Sequence, residues 1–188
     1  MKRILIIIMC VTLSSFLERV SAQQVALSTN LAGYLDFGTL NAEASVSLAR
    51  RWTLVTSARY NPFSYNTSAP AEKQIHRKQI AFAAGARYWP WHVNSGWWTG
   101  SKAQYQQFNS GGLFSPETSE GERYGLTLSG GYTYMIAKGL NAEFGLSFWG
   151  GYENYTSYDC PVCGLTVGKG EKFFLLPDEA IISLVYLF

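Results

Sequence analysis

"RYGLTLSGGYTYMI", residues 123–136, decides how this chain folds. Its even positions are Tyr124, Leu126, Leu128, Gly130, Tyr132, Tyr134 and Ile136; its odd positions are Arg123, Gly125, Thr127, Ser129, Gly131, Thr133 and Met135. One set is apolar and aromatic, the other polar or small. A period of two puts successive side chains on opposite faces of a strand, so the two faces meet different surroundings. The next segment repeats the pattern, with Leu140, Phe144, Leu146, Phe148 and Tyr152 on one face and Asn141, Glu143, Ser147 and Glu153 on the other. Between them "AKG", residues 137–139, predicts a short hairpin loop with Gly139 at positive φ.

Working outward, the alternation predicts eight strands, over residues 25–37, 40–49, 52–61, 79–89, 97–109, 122–136, 140–154 and 174–188. Gly38-Thr39 predicts a tight hairpin between the first two. The later connections alternate, short around 50–51, 90–96 and 137–139, long over 62–78, 110–121 and 155–173. An even strand count with short turns at one end and long loops at the other is the pattern of an up-and-down, eight-stranded antiparallel transmembrane β-barrel.

A soluble barrel of the lipocalin type alternates equally well, with its apolar face inward. Three features favour the membrane barrel. The apolar faces are free of charge except for Asp178, as expected where a mid-membrane charge costs about 2–4 kcal/mol. The opposite faces balance Arg59, Arg87, Lys102 and Arg123 against Asp36, Glu43, Glu143 and Glu153, a set that fits a salt-bridged interior. The aromatics sort by height: Trp52, Trp89, Trp91, Trp97, Trp98, Tyr134, Tyr186 and Phe188 fall on the short-turn side. Phe37, Tyr60, Phe63, Phe108, Tyr124 and Tyr152 fall at the other rim. Two aromatic girdles a strand length apart belong to a membrane barrel.

The opening "MKRILIIIMCVTLSSFLERVSA" reads as a secretory leader, with Lys2 and Arg3 as a basic start, an apolar stretch to Phe16 and Val20-Ser21-Ala22 before the cut. The apolar stretch is shorter than the roughly 20 residues of a helical span. Met9 precedes Cys10 where lipid attachment needs a small residue. The barrel domain is therefore expected over residues 23–188. Removing Lys2, Arg3, Arg19 and Glu18 turns 15 basic and 13 acidic residues into twelve of each. A chain without net charge gives no support to nucleic-acid binding.

The run "TNLAGYLDFGTLNAEASVSLARRWTLVTSARYNPFSY", then "GARYWPW", then "ISLVYLF", resembles a family of small outer-membrane barrels from Bacteroidota that is catalogued as a domain of unknown function. The resemblance implies OmpA- or OmpX-like barrel architecture, a place in the outer membrane, association of some members with fimbrial assembly genes, and no catalytic residues to carry over. Tyr186 and Phe188 resemble the aromatic signal read by the barrel-assembly machinery, although Ser183 and Ile181 depart from that pattern.

Little in the chain points to chemistry. "DCPVCG", residues 159–164, holds Cys160 and Cys163 in a long loop. A redox-active pair wants a helix start, which this Gly- and Pro-rich loop does not predict, and tetrahedral zinc wants four ligands. A local disulfide is expected in an oxidising compartment. His76, Ser157 and Asp159 are the candidates for a rim enzyme acting on lipid or peptide, without a local motif. Lys73, His76, Arg77 and Lys78 present charge suited to lipopolysaccharide phosphates. The expectation is a non-enzymatic outer-membrane protein without cofactor, its interior filled by side chains. Its expected work is structural or adhesive, or in support of envelope or fimbrial assembly through a surface or fimbrial protein partner. A narrow channel is the remaining alternative.

Overall fold

The structure, a computed structural model, describes residues 24–68, 70, 74–112, 117–160 and 165–188. Residues 1–22, read above as a leader, lie outside these, as do Lys73 and Cys163. One antiparallel sheet of nine strands closes into a ring. Its elements are β1 (Val25–Asn30), α1 (Leu31–Leu35), β2 (Leu40–Ala49), β3 (Trp52–Asn61), β4 (Ser64–Tyr65), β5 (Ile75–Tyr88), β6 (Gly96–Gly111), β7 (Thr118–Ala137), β8 (Leu140–Tyr158) and β9 (Thr166–Leu187). The ring runs β1-β2-β3-β5-β6-β7-β8-β9 and returns to β1; two-residue β4 adds to the far end of β5.

The ring closes with a stagger. Partners lead from Ala26 through Ser45, Val55, Gly85, Lys102, Thr127 and Trp149 to Leu176, eleven residues before Leu187, the β9 residue that pairs with Ala26. A stagger of this kind tilts the strands against the ring axis by roughly 35–45°. Gln24, Phe188 and the connections at 50–51, 89–95 and 138–139 share one end, the turn end; the other end is the mouth. Gly139, at φ +79°, closes the β7–β8 hairpin.

The interior is narrow. A Cβ on Gly131 would stand 2.8 Å from Cζ2 of Trp98 and 2.3 Å from the Phe144 carbonyl oxygen, so only glycine admits the indole there. Outward stand Leu54, Leu126, Leu128, Leu146, Phe148 and Ile182, all exposed; inward stand Thr127, Gln104, Lys102 and Glu143, all buried.

Three expectations need correction. The first strand does not reach residue 37. Asn30 ends it: its Nδ2 donates to Ala180 O (2.9 Å), its Oδ1 accepts from Ile182 N (3.0 Å), and the same Oδ1 caps α1 by accepting from Ala32 N (3.1 Å). Leu31 and Leu35 share a face in a strand and also on a helix, so alternation could not separate the two. A helix and the turn at 36–39 therefore replace the tight hairpin. Second, the strands near the mouth are longer than expected, and β9 begins at Thr166 rather than 174. Third, Asp178 does not break the apolar outer face. The register slips between Ser147↔Glu179 and Phe148↔Pro177, making Asp178 the extra residue of a bulge. Bulges re-aim side chains, and this one turns the Asp178 carboxylate into the ring, where it is 5% exposed.

Candidate functional site, the charged interior and its mouth

At the turn end the ring is plugged. Trp89 and Trp98 are buried against Ile181, their rings 6.3 Å apart. Trp89 Nε1 donates to Thr53 Oγ1 (3.1 Å), and Asn141 Nδ2 donates to Asn94 O (2.8 Å). The assignment of Trp89 and Trp98 to the outer girdle is therefore wrong. Trp97 and Trp98 are consecutive in β6, so only one of them can face out. The same correction applies at the far rim to Phe108, which is buried. Trp52, Trp91, Trp97, Tyr134 and Tyr186 are exposed, with Trp52 against Tyr88 (5.1 Å), Trp97 against Tyr132 (5.3 Å) and Tyr186 against Phe188 (4.8 Å). Near the mouth, Tyr152 touches both Tyr124 (6.2 Å) and Phe173 (5.8 Å).

Above the plug lie the ions. Arg87 spans two carboxylates, Glu43 at 2.5 Å and Glu143 at 3.0 Å, and Lys102 Nζ reaches Glu43 at 3.2 Å. The guanidinium of Arg87 lies 4.2 Å over the Trp98 ring, so the ionic layer rests on the plug. Arg59 pairs with Asp178 at 2.9 Å and approaches Glu179 at 3.9 Å; Gln104 and Ser147 also donate to Asp178. Higher still, Arg123 donates to Glu153 at 2.6 Å and lies 4.0 Å over Phe108, while Lys172 adds a second cation to Glu153 at 3.5 Å. Removing one partner of such a buried pair costs about 3–5 kcal/mol, because the other charge stays behind.

Asp36 belongs to a different place. It takes Arg77 at 3.0 Å at the mouth, where both side chains are about 40% exposed. It is joined to the interior through Gln79, which donates to Asp36 and accepts from Gln106. The reading from sequence thus placed Asp36 too deep and missed Asp178, Glu179, Lys172 and the glutamines. Period two finds charges on regular strands; it cannot follow a phase change at a bulge, and neutral amides carry no charge to balance.

Between the ionic layer and solvent lies a cavity of about 430 Å³, open at the mouth and closed below. Arg59, Asp178 and Glu179 form its floor, Arg77, Asp36 and Arg123 its charged walls, and Phe108, Trp149 and Leu176 its apolar side. Its size falls in the range of small-molecule pockets. Each of its arginines already holds a carboxylate.

The enzyme candidates are not brought together. The ladder steps His76↔Gly111, Gly111↔Thr118 and Thr118↔Tyr158 separate His76 from the end of β8 by three strand spacings, roughly 14 Å along the sheet. Ser157 Oγ lies 3.0 Å from Ser119 Oγ, and among the described residues no hydrogen bond links His76, Ser157 and Asp159. Among the described residues no group of His, Cys, Asp and Glu could hold a metal ion. Cys160 is buried and disulfide-bonded; Cys163, its expected partner, is outside the described residues.

A family model described as "Protein of unknown function (DUF3575)" matches residues 5–188, so the chain belongs to that family. No curated protein matches the sequence.

Proposed function

We propose that this family member is an outer-membrane β-barrel of a Gram-negative cell, exported with residues 1–22 as a cleavable leader and crossing the membrane with the eight strands of its ring. The observation that carries the reading is the inversion of polarity: the exposed belt is leucine, phenylalanine and isoleucine, while Glu43, Glu143, Arg87 and Lys102 are inside. Water would drive the opposite arrangement, since about 25 cal/mol is lost per Å² of apolar surface left wet. Tyr124 and Tyr134, at the two ends of the belt on β7, are ten residues apart. At about 3.4 Å per residue and a tilt of about 40° they stand roughly 26 Å apart in height. An outer-membrane barrel carries an apolar band about 25 Å tall between its girdles.

In this reading the plugged, ion-filled ring does not pass solutes. It serves as an anchor that presents the mouth and its long strands outside, for structural or adhesive work or in support of envelope or fimbrial assembly. Fractionation tests it. The protein is expected in the outer membrane, resisting carbonate extraction and migrating faster on gels unheated than boiled. Recovery as a soluble protein with one gel mobility would overturn the proposal. In planar bilayers the protein is expected to be silent, and steady conductance steps would restore the narrow channel.

A further inference from the structure

We propose that the mouth-side half of β9 is a docking edge that takes an extended segment of a second protein as an added β-strand. The ring is closed only over part of its height. β1 pairs with β9 from Ser183 to Leu187, and α1 packs beside β9 at the cavity wall. From Thr166 to Leu175, β9 pairs with β8 alone among the described residues. Pro177 marks the same edge, since a proline lacks the N–H that a central strand must donate. Asn30 fills the first step above β1, its Nδ2 donating to Ala180 O and its Oδ1 accepting from Ile182 N, and among the described residues no comparable cap stands higher. An uncovered strand edge of this length is a ready template for pairing.

The exposed face of this edge has a pattern of its own. Lys169, Glu171, Phe173 and Leu175 alternate along it, and all four are exposed; past them the register slips between Ser157↔Gly168 and Tyr158↔Thr166, making the exposed Val167 the extra residue of a second bulge. Phe173 stands level with the aromatic rim, so Leu165 and Val167 lie beyond the apolar belt, in water, where the belt gives them no purpose. The row is basic, acidic, apolar, apolar, with Val167 and Leu165 exposed past its basic end. An antiparallel strand satisfies every position of the row if, read from its N-terminus, it carries two apolar residues on alternate positions opposite Leu175 and Phe173, then a base opposite Glu171 and an acid opposite Lys169. The recognised partner is therefore an extended amphipathic segment with two apolar residues on alternate positions, followed in the same alternation by a base and an acid.

The charged pair Lys169 and Glu171 is also complementary to itself about Gly170, which supplies a probe. A second whole copy is a poor occupant in a membrane: antiparallel pairing about Gly170 would set two mouths face to face, with the two Phe173 positions six residues, roughly 20 Å, apart along the strands. A free peptide has no such restriction. The experiment uses the full-length protein in lipid nanodiscs and a fluorescent peptide of residues 165–175, read by anisotropy. Saturable binding is expected. Lys169→Glu in the protein should weaken it by roughly fivefold or more, through like charges set directly opposite. The same peptide carrying Glu171→Lys should restore it. Alternate N-methylation of the peptide backbone should abolish binding, because strand addition needs its N–H groups. The shift in gel mobility on heating reports that the variant protein is folded. Absence of saturable binding, or binding indifferent to charge reversal and to N-methylation, would overturn the proposal. Stable dimers of the protein in nanodiscs, dispersed by the peptide, would also overturn it, since the edge would then be filled by another copy.

Discussion

Leu128 is the position at which the orientation of the sheet can be tested most sharply. It is 63% exposed, lies outward on β7, and pairs with Ser101 on one side and Phe148 on the other. Tyr124 is four residues above it and Tyr134 six below, so it stands near the middle of the belt. If that belt meets hydrocarbon, Leu128→Arg should cost about 2–4 kcal/mol, the penalty for arginine at the midplane of a membrane barrel. The ratio of folded to unfolded protein then falls by about 30- to 900-fold. Val167→Arg is the control, an equally exposed apolar residue beyond the aromatic rim, where the same change should cost about 0–1 kcal/mol. Urea unfolding from phospholipid vesicles, followed by tryptophan emission and by heat-dependent mobility, measures both. Equal costs at the two sites, or a cost below about 0.5 kcal/mol at Leu128 as on an ordinary wet surface, would refute a lipid-facing belt.

Other outcomes follow from the interior and the rims. Asp178→Ala leaves Arg59 with Glu179 alone, at 3.9 Å, and should destabilise by about 3 kcal/mol; adding Arg59→Met should recover more than half in the same urea titration. Gly131→Ala must push its Cβ against the Phe144 carbonyl and the Trp98 ring, and a loss of about 1–3 kcal/mol, with lower refolding yield, is expected. Phe188→Ala removes the edge contact with Tyr186 but no interior packing; it should slow insertion catalysed by the assembly machinery while leaving the urea midpoint of inserted protein within error. His76→Ala should leave lipid A structure and surface peptide processing unchanged, as mass spectrometry of the envelope would show.

Much of this fold is legible in the sequence because a strand with two environments writes them alternately. The pairing of Gly125 with Gly151 and Gly131 with Gly145 follows from the short hairpin at 137–139 and the alternation on either side. What alternation cannot carry is a change of phase. Leu31 and Leu35 satisfy helix and strand together, so only the side-chain hydrogen bonds of Asn30 decide. Trp98 is a different case, because parity alone forbids it from sharing a face with Trp97. Sorting tryptophans by height and ignoring parity put both outside. The cavity was illegible, since its walls come from five strands and α1, and its floor depends on Asp178 being where a regular strand would not put it. Gln79, Gln104 and Gln106 complete the polar interior without leaving any charge signature.

The bulge at Asp178 has a consequence for how this sequence can change over time. On one side of it, residues with even numbers meet the outside; on the other, residues with odd numbers do. Substitutions are filtered by opposite rules on the two halves of one strand. A deletion of that single residue would not shorten a loop or trim an edge. It would exchange the roles of neighbours along the mouth-side half, sending the buried Phe174 out, drawing Phe173 and Leu175 in, and stranding Arg59 without its carboxylate. Insertions in this lineage are therefore expected to accumulate between strands and to spare position 178. Aligning relatives here requires keeping the extra residue in place rather than closing it as a gap.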